Sequence, residues 1–227
     1  STRTGRPVSN ELLIAFSNTA ILAVASIVIA IVFGIAIGLI SGTKPYSFMD
    51  NSSMFIALFG LSVPPFYLGL LLMLVFSVML KWLPISAEIN FINLILPAIT
   101  LSMRSLATIA RMTRSSMLEV MNQDYIQAAR AQGYNKRQIV FKHAFRNSMN
   151  TIITVIGLQF GHLLGGAVVT EKVFGWPGLG SLIITAIRAH DFQVVQSSIL
   201  LIAATYVIVN LAVDVIYAYV NPRIKFS

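Results

Sequence analysis

No charged residue occurs between Leu12 and Thr43, and this run constrains the fold more than any motif in the chain. About 20 apolar residues are enough for a helix to cross the roughly 30 Å hydrocarbon layer of a bilayer, which places a first span at about 19–40. Met54 to Leu80 is also uncharged but over-long, and Pro64 and Pro65 remove two backbone donors within it. The reading there is a leading segment, a break, then a span, over about 54–80. Residues 91–110 contain only Arg104 as a charge, and 151–170 and 194–219 are the remaining long runs. The expected fold is an all-α polytopic membrane protein with five transmembrane helices in one transmembrane domain over 1–227.

Composition agrees with a lipid solvent: 56% of the 227 residues are hydrophobic and 11% charged, with a mean hydropathy of +0.80. The formal charge of +8 does not indicate nucleic acid, because the basic residues lie in loops beside apolar runs with no aromatic platform among them. A positive-inside bias explains them better. Eight of the sixteen Lys and Arg residues fall between Arg104 and Arg146, against only Glu119 and Asp124. With that island cytoplasmic, alternation puts Lys44 to Asp50 and the tail with Arg223 and Lys225 on the same side. Trp82 and Trp176 then fall at outer span ends, where interfacial aromatics belong. Arg3 and Arg6 are left outside as a misfit. The start at Ser1 without a signal-peptide pattern, together with an outer N-terminus, predicts a sixth, upstream helix in the full-length protein. There is no cysteine, hence no disulfide framework and no thiolate site.

Within the basic island, residues 111–149, the pattern predicts helix, tight turn, helix. Asn122 or Asp124 can cap a first short helix through Tyr125, Ile126, Ala128 and Ala129, and Gly133 supplies the left-handed residue that ends it. Asn135 caps a second helix, with Gln138 three residues on to complete a capping box, and Phe141 and Phe145 form an i,i+4 apolar pair. Such a compact protrusion carries no catalytic set. It suits a docking surface that fits a partner's groove.

Gln127-Ala128-Ala129, three residues, then Gly133 resembles the cytoplasmic signature loop of bacterial ABC importer permeases, whose pattern is E-A-A, three residues, G, nine residues, I-x-L-P. Gln127 replaces the acid, and His143, Phe145 and Arg146 stand at the I, L and P positions, which points to the peptide and nickel branch. Leu61 to Pro64, Gly165 to Val169, Phe174 to Gly180, Asp191-Phe192 with Val194 to Gln196, Asn210 to Asp214 and Asn221 to Ile224 resemble that branch in order. The resemblance covers nearly the whole chain. It implies an inner-membrane subunit that pairs with a second permease, two cytoplasmic ATPases that use ATP and Mg, and an extracytoplasmic solute-binding protein. The implied cargo is a peptide or a nickel-type metal chelate. Gln127, Ala128, Ala129, Arg130, Gly133, Lys136 and Arg137 become the expected ATPase-coupling residues, the alanines and glycine for close packing and the cations for an acidic rim. Gly38 to Lys44 only superficially evokes a phosphate loop, since the required Gly, four residues, Gly-Lys-Ser/Thr is not met.

Inside the spans, Gly34, Gly38 and Gly42, and again Gly157, Gly161 and Gly165, recur every fourth residue, a stripe that lets a neighbouring helix approach closely. Gln159 and His162, with Gly166 one turn on, are polar or open positions at membrane depth and are the candidates for lining a pathway. Asp214, with Asn210 one turn earlier, is expected to pair with a basic group such as Arg223 or Arg104. The three histidines, His143, His162 and His190, are assigned to different sides and depths, so no metal site is expected. Phe174, Trp176 and Pro177 begin a rigid, glycine-rich outer turn, read as a short re-entrant segment contacting the binding protein. An ion-driven secondary transporter is the alternative. It would need intramembrane carboxylates or inverted repeats of broken helices, and only Asp214 is present. An intramembrane hydrolase lacks any Ser/His or paired Asp set at matching depth.

Overall fold

The computed structural model describes residues 5, 7–84 and 88–220, and for residues 164, 166, 214 and 216–220 it describes the backbone element only. Arg3, Arg6, Arg223, Lys225, the Asn221 to Ile224 motif, the pairing of Asp214 and the surroundings of Gly166 therefore lie outside the described residues. The elements, in order, are α1 (Val8–Thr43), α2 (Phe48–Ser62), α3 (Pro65–Leu72) continuing as a π-helical stretch (Met73–Met79), and α4 (Phe91–Met121). There follow α5 (Asp124–Ala131), α6 (Lys136–Gln138) continuing as a second π-helical stretch (Ile139–Phe145), α7 (Arg146–Phe174), α8 (Leu179–Arg188) and α9 (Phe192–Val220). No strand occurs among the described residues. Among the described residues three helices are long and apolar enough to cross a membrane, and up to five spans result if each of two bent pairs is one span.

The break expected at Pro64-Pro65 is present. Pro64 is extended at φ −57°, ψ 135°, and Pro65 opens α3, a helical position whose N–H has no intrahelical partner to lose. Contacts divide the chain into two compact units. One is built from the chain up to Val28, Val63–Ser102 and Phe160–Leu211, the other from Ile29–Ser62, Met103–Gln159 and the chain from Ala212.

In the second unit the later part of α1 lies directly on α4 along its glycine stripe. A Cβ on Gly34 would stand 2.9 Å from Ile109 Cγ2, and one on Gly38 would stand 2.6 Å from the Ala110 carbonyl oxygen, so only hydrogen fits at this crossing. The charged residues after Ala110 predicted that the loop begins at residue 111; instead α4 runs on to Met121, because Thr113, Ser116 and Met117 are buried on one side. In the first unit α3 meets the end of α7, where Gly69 lies against Phe174, and Gly161 of α7 lies against Tyr206 and Asn210 of α9.

Candidate functional site

The polar hairpin is built by local chemistry on a buried base. Gln123 is the N-cap of α5, extended at φ −76°, ψ 148° and making no side-chain cap bond. This corrects the expected caps: Asn122 stands outside the helix and Asp124 is its first residue, placing its charge in the favourable first turn. The C-terminal end is as expected. Gly133 has φ +84°; its N–H donates to the Arg130 carbonyl at 3.0 Å and the Tyr134 N–H to the Ala129 carbonyl at 3.3 Å, the Schellman closure. A residue with a Cβ adopts that backbone only under strain.

The next helix starts on the capping box. The Gln138 N–H donates to Asn135 Oδ1 at 2.9 Å, and the Asn135 N–H donates to Gln138 Oε1 at 3.1 Å. Ile126, Ile139, Val140 and Ala144 then close on Met117 of α4, with Tyr134 and Phe145 packed against them. The apolar face is thus Ile139, Val140 and Ala144, since π-helical winding sets it; Phe141 of the expected pair is exposed. Asn147 Nδ2 donates to Tyr125 Oη at 2.9 Å, linking α5 to the start of α7.

Gln127, Ala128, Arg130, Gly133, Lys136 and Arg137 are all exposed, as a docking surface requires. Ala129 departs from the expectation: at 5% exposure it packs inward, because α5 is amphipathic and Ala129 shares the face of Ile126. Beside α5, a cavity of about 440 Å³ is lined by Thr43 and Pro45, by Met121 and Asn122, and by Gln127 and Arg130. The turn that forms one wall is fixed by Asp50, whose carboxylate receives two hydrogen bonds from Arg114 and one from the Tyr46 N–H at 2.9 Å.

The turn from Phe174 to Gly180, expected on the outer side, is locked rather than displayed. Trp176 is 1% exposed and Phe174 is buried, while Pro177 is exposed. The Trp176 N–H donates to the Glu171 carbonyl at 2.8 Å, Trp176 Nε1 to the Asn18 carbonyl at 3.0 Å, and Asn18 Nδ2 to the Pro177 carbonyl at 2.8 Å. Trp176 therefore acts as a peg between α1 and the turn, not as the interfacial anchor its position suggested. α8 follows immediately, where the sequence suggested only a re-entrant turn.

On α7, Gln159 is half-buried and His162 exposed, and a Cβ on Gly165 would meet no atom within 4 Å. Among the described residues no group of three or more His, Asp or Glu could hold a metal. Sequence reasoning missed Asp50 with Arg114 and Glu171 with Thr19. Glu171 carried a signal that could have been used, since a carboxylate directly after a membrane-length run needs a partner.

The basic hairpin is thus carried, on a buried base, by a helical chain with several candidate membrane spans. The sequence pattern of the binding-protein-dependent transport system inner membrane components matches residues 34–226, and the chain belongs to that family. It is 44% identical over 222 residues to the glutathione transport system permease protein GsiC of Escherichia coli, covering 98% of this chain and 72% of the relative. The corresponding protein of Pectobacterium atrosepticum is 42% identical over the same lengths. Among solved structures, an inward-facing MetNI methionine ABC transporter gives a TM-score of 0.80 at 20% identity, covering 96% of this chain and 100% of that one. An amino acid ABC transporter determined with histidines gives 0.70 at 15%, covering 95% of each. The chain is thus a multi-pass inner-membrane permease subunit of an ABC importer, a transport component rather than an enzyme. The ion-driven alternative is not favoured.

Proposed function

We propose that this subunit, as a single transmembrane domain whose coupling element is the hairpin after α4 within the 111–149 stretch, forms one half of a pathway for glutathione or similarly small peptides. A second homologous permease supplies the other half, two ATPases bind the cytoplasmic face, and an extracytoplasmic binding protein delivers cargo. The observation that carries the coupling role is the hairpin: Gln127, Ala128, Arg130, Gly133, Lys136 and Arg137 are exposed on a scaffold whose base is buried against α4. Burial anchors the protrusion to a long helix, so displacement at its tip is delivered to α4. The cargo reading rests on the 44% identity to a glutathione permease over 98% of the chain. It narrows the class expected from the signature loop toward small peptides.

On α7, Gln159, His162 and Gly166 are proposed to face the pathway, with the open position at Gly165 leaving width for a peptide. Phe174 and Trp176 hold the outer mouth from within, and Pro177 is the member of that set placed to touch the binding protein. ATP binding would close the ATPase dimer, draw the paired hairpins together and reverse the opening of the pathway.

The test is reconstitution of the permease pair with its ATPases and binding protein in proteoliposomes. ATP-dependent uptake of radiolabelled glutathione is expected, and Gly133→Val is expected to leave ATP hydrolysis running while uptake falls at least tenfold. Absence of any co-purifying ATPase, or full coupled uptake with Gly133→Val, would overturn the coupling reading. Uptake of dipeptides but not glutathione would overturn the cargo reading.

A further inference from the structure

We propose that Glu171 is the positioning residue of the outer mouth, its carboxylate holding the turn before α8 in register with α1 so that delivered cargo can enter; the transport half of this proposal rests on the importer reading above. Glu171 is 0% exposed, and each oxygen takes a different donor. Oε1 accepts from the Thr19 hydroxyl at 2.6 Å, and Oε2 accepts from the Ser181 N–H at 3.1 Å. Thr19 Oγ1 in turn accepts from the Leu179 N–H at 2.8 Å. One side chain therefore joins the end of α7, the first turn of α8 and the first third of α1.

The chemistry requires an acceptor on both oxygens. The hydroxyl of Thr19 is committed as an acceptor to Leu179, so its own hydrogen points at Glu171, and the Ser181 amide has only a hydrogen to offer. A carboxamide would turn its NH2 toward one of these two donors. Rotation gives no escape, because Gly178 lies so close to the carboxylate that even a Cβ there would overlap it. A negative group also suits the first turn of α8, where backbone N–H groups have no helical partner. Removing the acceptor leaves buried donors unmet, which is the costly way to lose a hydrogen bond.

The same turn is tied to the neighbouring residue of α1 by a second route, through Trp176 Nε1 to the Asn18 carbonyl and Asn18 Nδ2 to the Pro177 carbonyl. Two adjacent residues of α1 thus grip both arms of the turn. With both routes closed, the turn and α1 move as one piece, and Glu171 is the only acid among the residues that close them.

Trp176 provides a readout independent of transport. The chain has two tryptophans, so Trp82→Phe leaves Trp176 as the sole reporter. In that background, in lipid nanodiscs, Trp176 emission is expected to be blue-shifted and shielded from acrylamide. Glu171→Gln and Thr19→Val are expected to shift it to the red and raise the quenching constant at least twofold, while Thr19→Ser restores the parent values. In the reconstituted complex the first two variants are expected to lower uptake and binding-protein-stimulated hydrolysis at least tenfold, with basal hydrolysis and ATPase co-purification kept. Unchanged Trp176 quenching in Glu171→Gln would overturn the proposal, as would a loss of basal hydrolysis and co-purification together with uptake. If the parent protein recruits no ATPase, the importer reading fails by itself, and the fluorescence result still decides whether Glu171 holds the turn.

Discussion

Arg114 closes on Asp50 with both arms of its guanidinium: Nε donates to Oδ1 at 2.6 Å and Nη2 to Oδ2 at 2.7 Å. Asp50 is 1% exposed while the Arg114 side chain is 24% exposed, so the carboxylate is sunk and the cation covers it. The Asp50 carboxylate also takes the Tyr46 N–H, where the backbone turns through a left-handed conformation at φ 59°. One ion pair therefore fastens α4 to the turn between α1 and α2.

Asp50→Asn is expected to lower stability by about 2 kcal/mol, because the part-exposed guanidinium loses the charge that strengthens its two hydrogen bonds to a buried acceptor. Arg114→Lys should recover only part, since an ammonium cannot make two parallel bonds to one carboxylate. Thermal unfolding of the purified protein in detergent measures both, and an unchanged Tm in Asp50→Asn would refute the assignment.

Ile126→Ala removes a fully buried side chain from the base of the hairpin. A loss of about 2–4 kcal/mol is expected. It should concentrate in faster hydrogen exchange across residues 124–145 rather than across the long helices, a pattern that mass spectrometry resolves by peptide.

Asn135→Ala takes away one partner of the capping box and is expected to cost about 1 kcal/mol of local stability. Exchange at Lys136 to Gln138 should quicken while the Tm of the whole protein stays put. Slower exchange there would contradict the capping geometry.

Reversing the charge of Arg130, Lys136 or Arg137 singly is expected to weaken ATPase association only slightly, as exposed pairs are each worth roughly 0–1 kcal/mol. Reversing all three together should abolish co-purification at low salt, and the parent complex should itself loosen as ionic strength rises. A triple reversal that still recruits the ATPase would move the docking surface elsewhere.

The parts of this fold legible in the sequence are those governed by near neighbours. Uncharged runs reported the helices because hydropathy is summed over one segment, and Gly133 and Asn135 reported the turn because their partners lie within a few residues. Arg114 with Asp50 is separated by 64 residues and Thr19 with Glu171 by 152, distances at which no local pattern operates. The wrong cap before α5 has the same root. Burial of Ile126 fixes the helix register, and that selects Gln123 over two better capping residues. Motif spacing names Ala129 without saying which side of a short helix faces home, so its inward packing is invisible to it. The early end assigned to α4 followed from reading charge as loop, whereas an amphipathic helix continues past its membrane run with ease.

The hairpin's construction also sets its mechanical compliance. A protrusion held only by exposed hydrogen bonds would absorb an applied load by fraying, and the work would be dissipated as heat in water. Here the Schellman closure, the capping box and the Ile126 to Ala144 base leave little to give way, and beyond the hairpin Ile109, Thr113 and Met117 of α4 seat against the glycines of α1, so the stiffness continues into the long helices. A load on such a protrusion would be carried by the packed helices as one stiff body rather than lost at its tip.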